Sequence, residues 1–93
     1  MIASYPINLN LQGRLAVVIG GGAVALRKVR GLLVTGAQVQ VIDPQPLAAI
    51  GRLAGSRRIR LARRRYRRGD LTGAALVIAA TDDEKTNRSV SSE

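Results

Sequence analysis

The chain has 93 residues, of which 15 are Lys or Arg and 6 are Asp or Glu, and it contains neither Cys nor His. That composition excludes a disulfide framework, a zinc finger, a thiolate nucleophile and a Ser-His-Asp triad. The formal charge of +9 favours polyanionic partners (nucleic acid, acidic lipid or a multiply carboxylated substrate) without choosing among them.

The length allows one small domain, which buries only about 60–65% of the surface its unfolded form exposes. Apolar residues make up 46%, too many for a disordered chain. The longest strongly apolar run, Ala74 to Ala80, is too short to span a bilayer, and no basic segment leads into an apolar core at the start. No membrane partner or secretory leader is therefore expected, and a cytoplasmic home fits. Acid–base work within the chain has to come from Asp43, Asp70, Asp82, Asp83, Glu84, Glu93, two tyrosines (Tyr5, Tyr66) or two lysines (Lys28, Lys85).

Residues 1–13 read as a lead-in. Arg14 to Ile19 (RLAVVI) is a β-branched apolar run ending at Gly20, Gly21 and Gly22, as a buried strand would. The period then changes: Ala25, Val29, Leu32, Leu33 and Gly36 fall on one helical face, and Gly36 stands where a glycine ends a helix. Gln38 to Asp43 reads as a second strand, broken by Pro44 and Pro46. Leu47, Ile50, Leu53 and Ala54 give a weaker helical stripe ending near Gly55, and Arg58 to Leu61 a strand with one wet face. Gly69 to Gly73 is a turn region, and Ala74 to Ala80 (AALVIAA) reads as a strand covered on both faces. Thr81 and Glu84 match a capping box, so a last helix should start there. The alternating periods predict an α/β fold: a Rossmann-like parallel sheet with flanking helices, C-terminally incomplete, with residues 1–93 forming one partial dinucleotide-binding domain.

Gly20, Gly22 and Ala25 fill a G-x-G-x-x-A pattern between a strand and a helix. Gly20 permits the tight turn, Gly22 lets the backbone approach a pyrophosphate, and Ala25 allows close helix–strand packing. The first amides and the positive dipole of the helix would hold the anion. Asp43, 23 residues beyond Gly20, stands where an acid accepts hydrogen bonds from the ribose hydroxyls and repels a 2′-phosphate, favouring NAD. The bland alternative is a loop aspartate capping the turn before Pro44. Asp82 and Asp83 are better read as acids complementing a helix N-terminus than as proton carriers. Arg57 to Arg68 holds eight arginines in twelve residues. We read it first as a solvated face, second as steering for a polycarboxylate; with only Tyr66 interleaved, a nucleic-acid partner is disfavoured.

The stretches YPINLNLQGRLAVVIGGGAVALRK and LVIAATDDEKTN resemble the N-terminal module of siroheme synthase, the NAD-dependent precorrin-2 dehydrogenase family, over nearly the whole chain. The resemblance implies transfer of a hydride from precorrin-2 to nicotinamide and of a proton to a base, giving sirohydrochlorin, into which bifunctional members insert iron. It places Gly21, Gly22, Ala23 and Val24 at the pyrophosphate, Pro44 and Gln45 beside the adenosine ribose, and Thr81, Asp82 and Asn87 on the nicotinamide side. Relatives often carry a small residue in place of Asp43, so its ribose role rests on the physical argument alone. The family's acid–base aspartate and its dimerisation and helical regions fall beyond Glu93. The expectation is therefore a homodimer for the full-length protein, no catalytic residue and no metal ligand within these 93 residues, and no NADH formation from precorrin-2 by them alone. Two competing readings are an NAD-sensing regulatory module of a transporter, which would share the strand–glycine–helix start, and a basic nucleic-acid-binding domain, which charge supports but no recognition motif does.

Overall fold

The structure is a computed structural model that describes residues 10–81. In chain order the elements are β1 (Leu15–Ile19), α1 (Ala23–Val34), β2 (Gln38–Ile42), α2 (Ala48–Gly55), β3 (Arg60–Ala62) and β4 (Leu76–Ala79). The strands form one sheet in the order β3-β2-β1-β4, every pairing parallel. This is the expected Rossmann-like arrangement: after β3 the chain returns past the first two strands to lay β4 on the far side of β1. The helix expected from Thr81 onward lies outside the described residues.

β1 forms the middle of the sheet because every residue in it is apolar and both its faces are covered. Ala16 and Val18 join Ala25, Val29 and Leu32 of α1, Val39 and Val41 of β2, and Ile50 of α2 in the main core. Val17 and Ile19 point the other way and form a second cluster with Ile42, against which Tyr66, Leu71 and Ala74 of the β3–β4 connection pack. The two-residue alternation of a strand thus sorts one run of sequence into two cores. In α1 the stripe is as the spacing predicts: Ala25, Val29 and Leu32 are buried, Leu33 is half-buried, and Arg27, Lys28 and Arg30 are exposed. Gly36 follows the C-cap Thr35 with φ +80°, and its amide donates to the Leu33 carbonyl at 3.1 Å.

Two expectations need correction. The third strand runs from Arg60 to Ala62 rather than from Arg58 to Leu61. Arg57 and Arg58 are used instead to end α2: their amides donate to the carbonyls of Ala54 and Leu53, both at 3.0 Å, with Arg57 at φ +62°. That is a Schellman turn with arginine where glycine is usual. The fourth strand is not covered on both faces: Leu76, Val77 and Ile78 are half-buried and Ala79 is exposed. It is the edge of the described sheet, and an apolar run states what could be buried, not what lies beside it.

Candidate dinucleotide-binding site

The three glycines after β1 have three different reasons to be glycine. Gly20 has φ +119°, and its amide donates to the Ile42 carbonyl at 2.9 Å. A Cβ there would stand 2.5 Å from the Ala80 carbonyl oxygen, so the β1–β4 junction leaves no room for one. A Cβ on Gly21 would meet Pro46 Cβ at 2.7 Å, and the Gly21 carbonyl accepts from the Leu47 amide at 2.8 Å, tying the elbow to the start of α2. Gly22 is the N-cap of α1, at φ −90°, and a Cβ there would meet nothing within 4 Å. Nothing in the described chain requires glycine at that position.

Beyond Gly22 the amides of Ala23 and Val24 begin α1, with no acidic side chain in its first turn and no side-chain cap. The amides of Gly22, Ala23 and Val24 have no hydrogen-bond partner among the described residues. Orphan N–H groups at a helix start, backed by the helix dipole and facing open space at Gly22, suit a phosphate or diphosphate.

Asp43 follows β2, half-buried, with Oδ1 accepting from the Gln45 amide at 2.9 Å. This is the turn-capping geometry given above as the bland alternative. It uses one oxygen and leaves Oδ2 without a partner among the described residues, so the turn cap and a ribose contact are compatible. Pro44 and Gln45 are exposed beside it. Asp43 and Pro44 share a cleft of about 200 Å³ with Gly20, Arg65, Tyr66 and Thr81, at the carboxyl ends of the strands. Asp82 and Asn87 lie outside the described residues.

Sequence reasoning did not place Arg65 and Tyr66 in this cleft. The signal was available: both directly follow the third strand, at the sheet end where ligands of such folds bind. The loop that carries them is pinned by a fork. Arg64 donates from both terminal nitrogens to Asp70, each at 2.8 Å, and the Arg67 amide donates to the same carboxylate at 2.8 Å. The hydrogen bonds from Arg64 hold the Asp70 carboxyl below its ordinary value of 3.8 and raise the Arg64 guanidinium in turn. Tyr66 is half-buried, and its hydroxyl is buried with no hydrogen-bond partner among the described residues. A polar group left so costs roughly 1–3 kcal/mol. The other arginines of the run are exposed, in keeping with a solvated face. No helix among the described residues is long and apolar enough to cross a membrane.

A parallel sheet carrying a glycine elbow and an uncapped helix start at its carboxyl end defines the class: a Rossmann-like dinucleotide-binding domain. Comparison with known proteins narrows this. The chain belongs to the family described as "Putative NAD(P)-binding", whose profile matches residues 7–93. It is 49% identical over 86 residues to siroheme synthase of Pseudomonas paraeruginosa, an alignment covering 92% of this chain and 18% of that protein. To siroheme synthase of Ectopseudomonas mendocina it is 50% identical over 88 residues, covering 95% and 19%. Among solved structures it is similar to "SirC, precorrin-2 dehydrogenase", with a TM-score of 0.89 and 32% identity over 94% of this chain and 44% of that one. The chain thus spans about a fifth of the length of these curated relatives. The matches bear out the resemblance to the siroheme synthase N-terminal module that the two sequence blocks suggested.

Proposed function

We propose that the chain is the NAD-binding part of a precorrin-2 dehydrogenase in siroheme biosynthesis, working in the cytoplasm as part of a homodimer. The observation that carries this reading is Gly22: open space and orphan amides at the start of α1, in a fold similar to that of a precorrin-2 dehydrogenase. When bound, NAD supplies the acceptor for the hydride that precorrin-2 gives up on its way to sirohydrochlorin. The residues of the chain bind and orient. Gly21, Gly22, Ala23 and Val24 offer backbone to the diphosphate, which the helix dipole favours. Gly20 keeps the elbow tight enough for that backbone to be presented. Asp43 accepts from the ribose hydroxyls, with Pro44 and Gln45 bordering the same sugar, while Thr81, Asp82 and Asn87 border the nicotinamide side. The excess of arginine raises the local concentration of a polycarboxylate such as precorrin-2 by long-range attraction that salt screens.

Asp43 and Arg65 act in opposite senses on coenzyme choice, since a carboxylate repels a 2′-phosphate and a guanidinium attracts it. We assign NAD, because the carboxylate follows directly from β2. Calorimetric titration of the chain with NAD, NADP and inorganic pyrophosphate tests the assignment. Saturable binding of NAD, tighter than NADP, is the expected result; no binding of NAD overturns the function. The redox half is tested in a protein of the relatives' length carrying this segment, by following NADH formation on addition of precorrin-2.

A further inference from the structure

Tyr66 has a buried hydroxyl without a partner among the described residues, and it lines the cleft that contains Asp43. Buried polar groups in folded proteins are nearly always hydrogen-bonded, so an orphan beside a ligand cleft calls for an explanation. The ring is anchored from behind, packing on the Val17, Ile19 and Ile42 cluster, and the loop that carries it is held by the Arg64–Asp70 fork. Tyr66 is also the one aromatic residue among the described residues, since the whole chain has two tyrosines, no Phe and no Trp. The cleft, about 200 Å³, is smaller than the roughly 300–1,000 Å³ of pockets that enclose a drug-sized ligand, and fits one end of an extended molecule.

We propose that Tyr66 is a contact residue for the adenosine half of the dinucleotide. Resting on the function proposed above, this deepens it by naming the wall against which the nucleoside packs. The diphosphate lies on the amides at the start of α1 and the ribose on Asp43. The nucleoside then extends over the ends of β1 and β2 toward the loop after β3, where Tyr66 supplies an aromatic surface. Its hydroxyl, at the cleft wall, gains from the entering nucleoside the partner that the described residues do not supply. Arg64 and Asp70 are positioning residues in this arrangement: they fix the loop and do not touch the ligand.

Binding of ADP and of inorganic pyrophosphate to the Tyr66→Phe chain tests this. Removing the hydroxyl alone should weaken ADP about fivefold to tenfold and leave pyrophosphate unchanged, because pyrophosphate meets only the amides. The thermal midpoint should hold or rise, since the variant deletes an unpartnered polar atom. ADP affinity equal to that of the unaltered chain overturns the assignment of Tyr66 while leaving NAD binding, and so the proposed function, in place. Failure of the unaltered chain to bind NAD and ADP overturns both. A second measurement needs no change at the site. In a Tyr5→Phe chain, Tyr66 is the only tyrosine, and its emission should change on saturation with ADP but not with pyrophosphate. Emission unmoved by saturating ADP overturns the contact.

Discussion

The two ends of this sheet make an instructive pair. At the amino ends of the strands a cleft of about 400 Å³ is lined by Leu15, Gln38 and three arginines, Arg57, Arg58 and Arg60. At the carboxyl ends the cleft is half that size and is bounded by Gly20, Asp43 and Tyr66. Size and formal charge would both direct an anion to the first. Backbone polarity directs it to the carboxyl ends. In a parallel sheet the intervening helices end at the amino side, presenting the negative end of the dipole. Arg57 and Arg58 at the end of α2 therefore have a local electrostatic role that needs no ligand. The helices start at the carboxyl side, and there α1 offers amides with no acid and no side-chain cap in the way. The smaller cleft lies at the end of the sheet where α1 starts, the larger at the end where the helices stop.

Substitutions at either end sharpen or break this contrast. The largest effect should come from Gly20→Ala, whose Cβ would collide with the backbone at Ala80 from a left-handed φ. Overpacking and strain together predict a loss of about 3 kcal/mol or more, read by urea unfolding. Gly22→Ala should leave the unfolding curve within about 0.5 kcal/mol, as expected for a change that touches nothing. NAD binding should nevertheless weaken at least tenfold, because the methyl occupies the diphosphate's approach; unchanged affinity would remove Gly22 from the cradle. Asp43→Ala should weaken NAD about fivefold, the value of roughly one hydrogen bond, and narrow its advantage over NADP in the same titration.

At the other end Arg57→Gly should stabilise the chain by about 0.5–1 kcal/mol, since glycine takes the left-handed turn after α2 without steric strain. It should not alter NAD binding, and a weakened affinity would mean that the amino end also belongs to the site. The smallest effect should appear in acid. The folded-state pKa of Asp70 is depressed, so its contribution to stability is complete above the ordinary value of 3.8 and is lost as pH falls through the lowered one. Thermal midpoints between pH 5 and 2 should therefore fall less steeply in Asp70→Asn than in the unaltered chain.

Much of this was legible because local chemistry dictated it. An all-apolar β1 fits only a strand covered on both faces, and Ala25, Val29 and Leu32 fit only a helix packed on one side. A glycine at position 36 marks the turn that ends that helix. What failed was legible only in part. Arg58 looks like the start of a strand by alternation, yet the end of α2 needs its amide and that of Arg57, and backbone hydrogen bonding decides over pattern. The apolar stretch Ala74–Ala80 does not reveal that its strand lies at the edge of the described sheet, because burial depends on neighbours that composition does not name.

Taken by itself, the sequence determined the order of elements, the glycine elbow and the acid after β2, since periodicity and residue spacing are properties of a chain read along its length. The division of labour within the triple glycine needed the fold. Gly20 is crowded by Ala80 and Gly21 by Pro46, while Gly22 alone faces open space, and those neighbours are brought up by strand order and by the return of α2. Tertiary structure also carried Tyr66 to the side of Asp43, because a parallel sheet gathers the ends of all its strands at one rim.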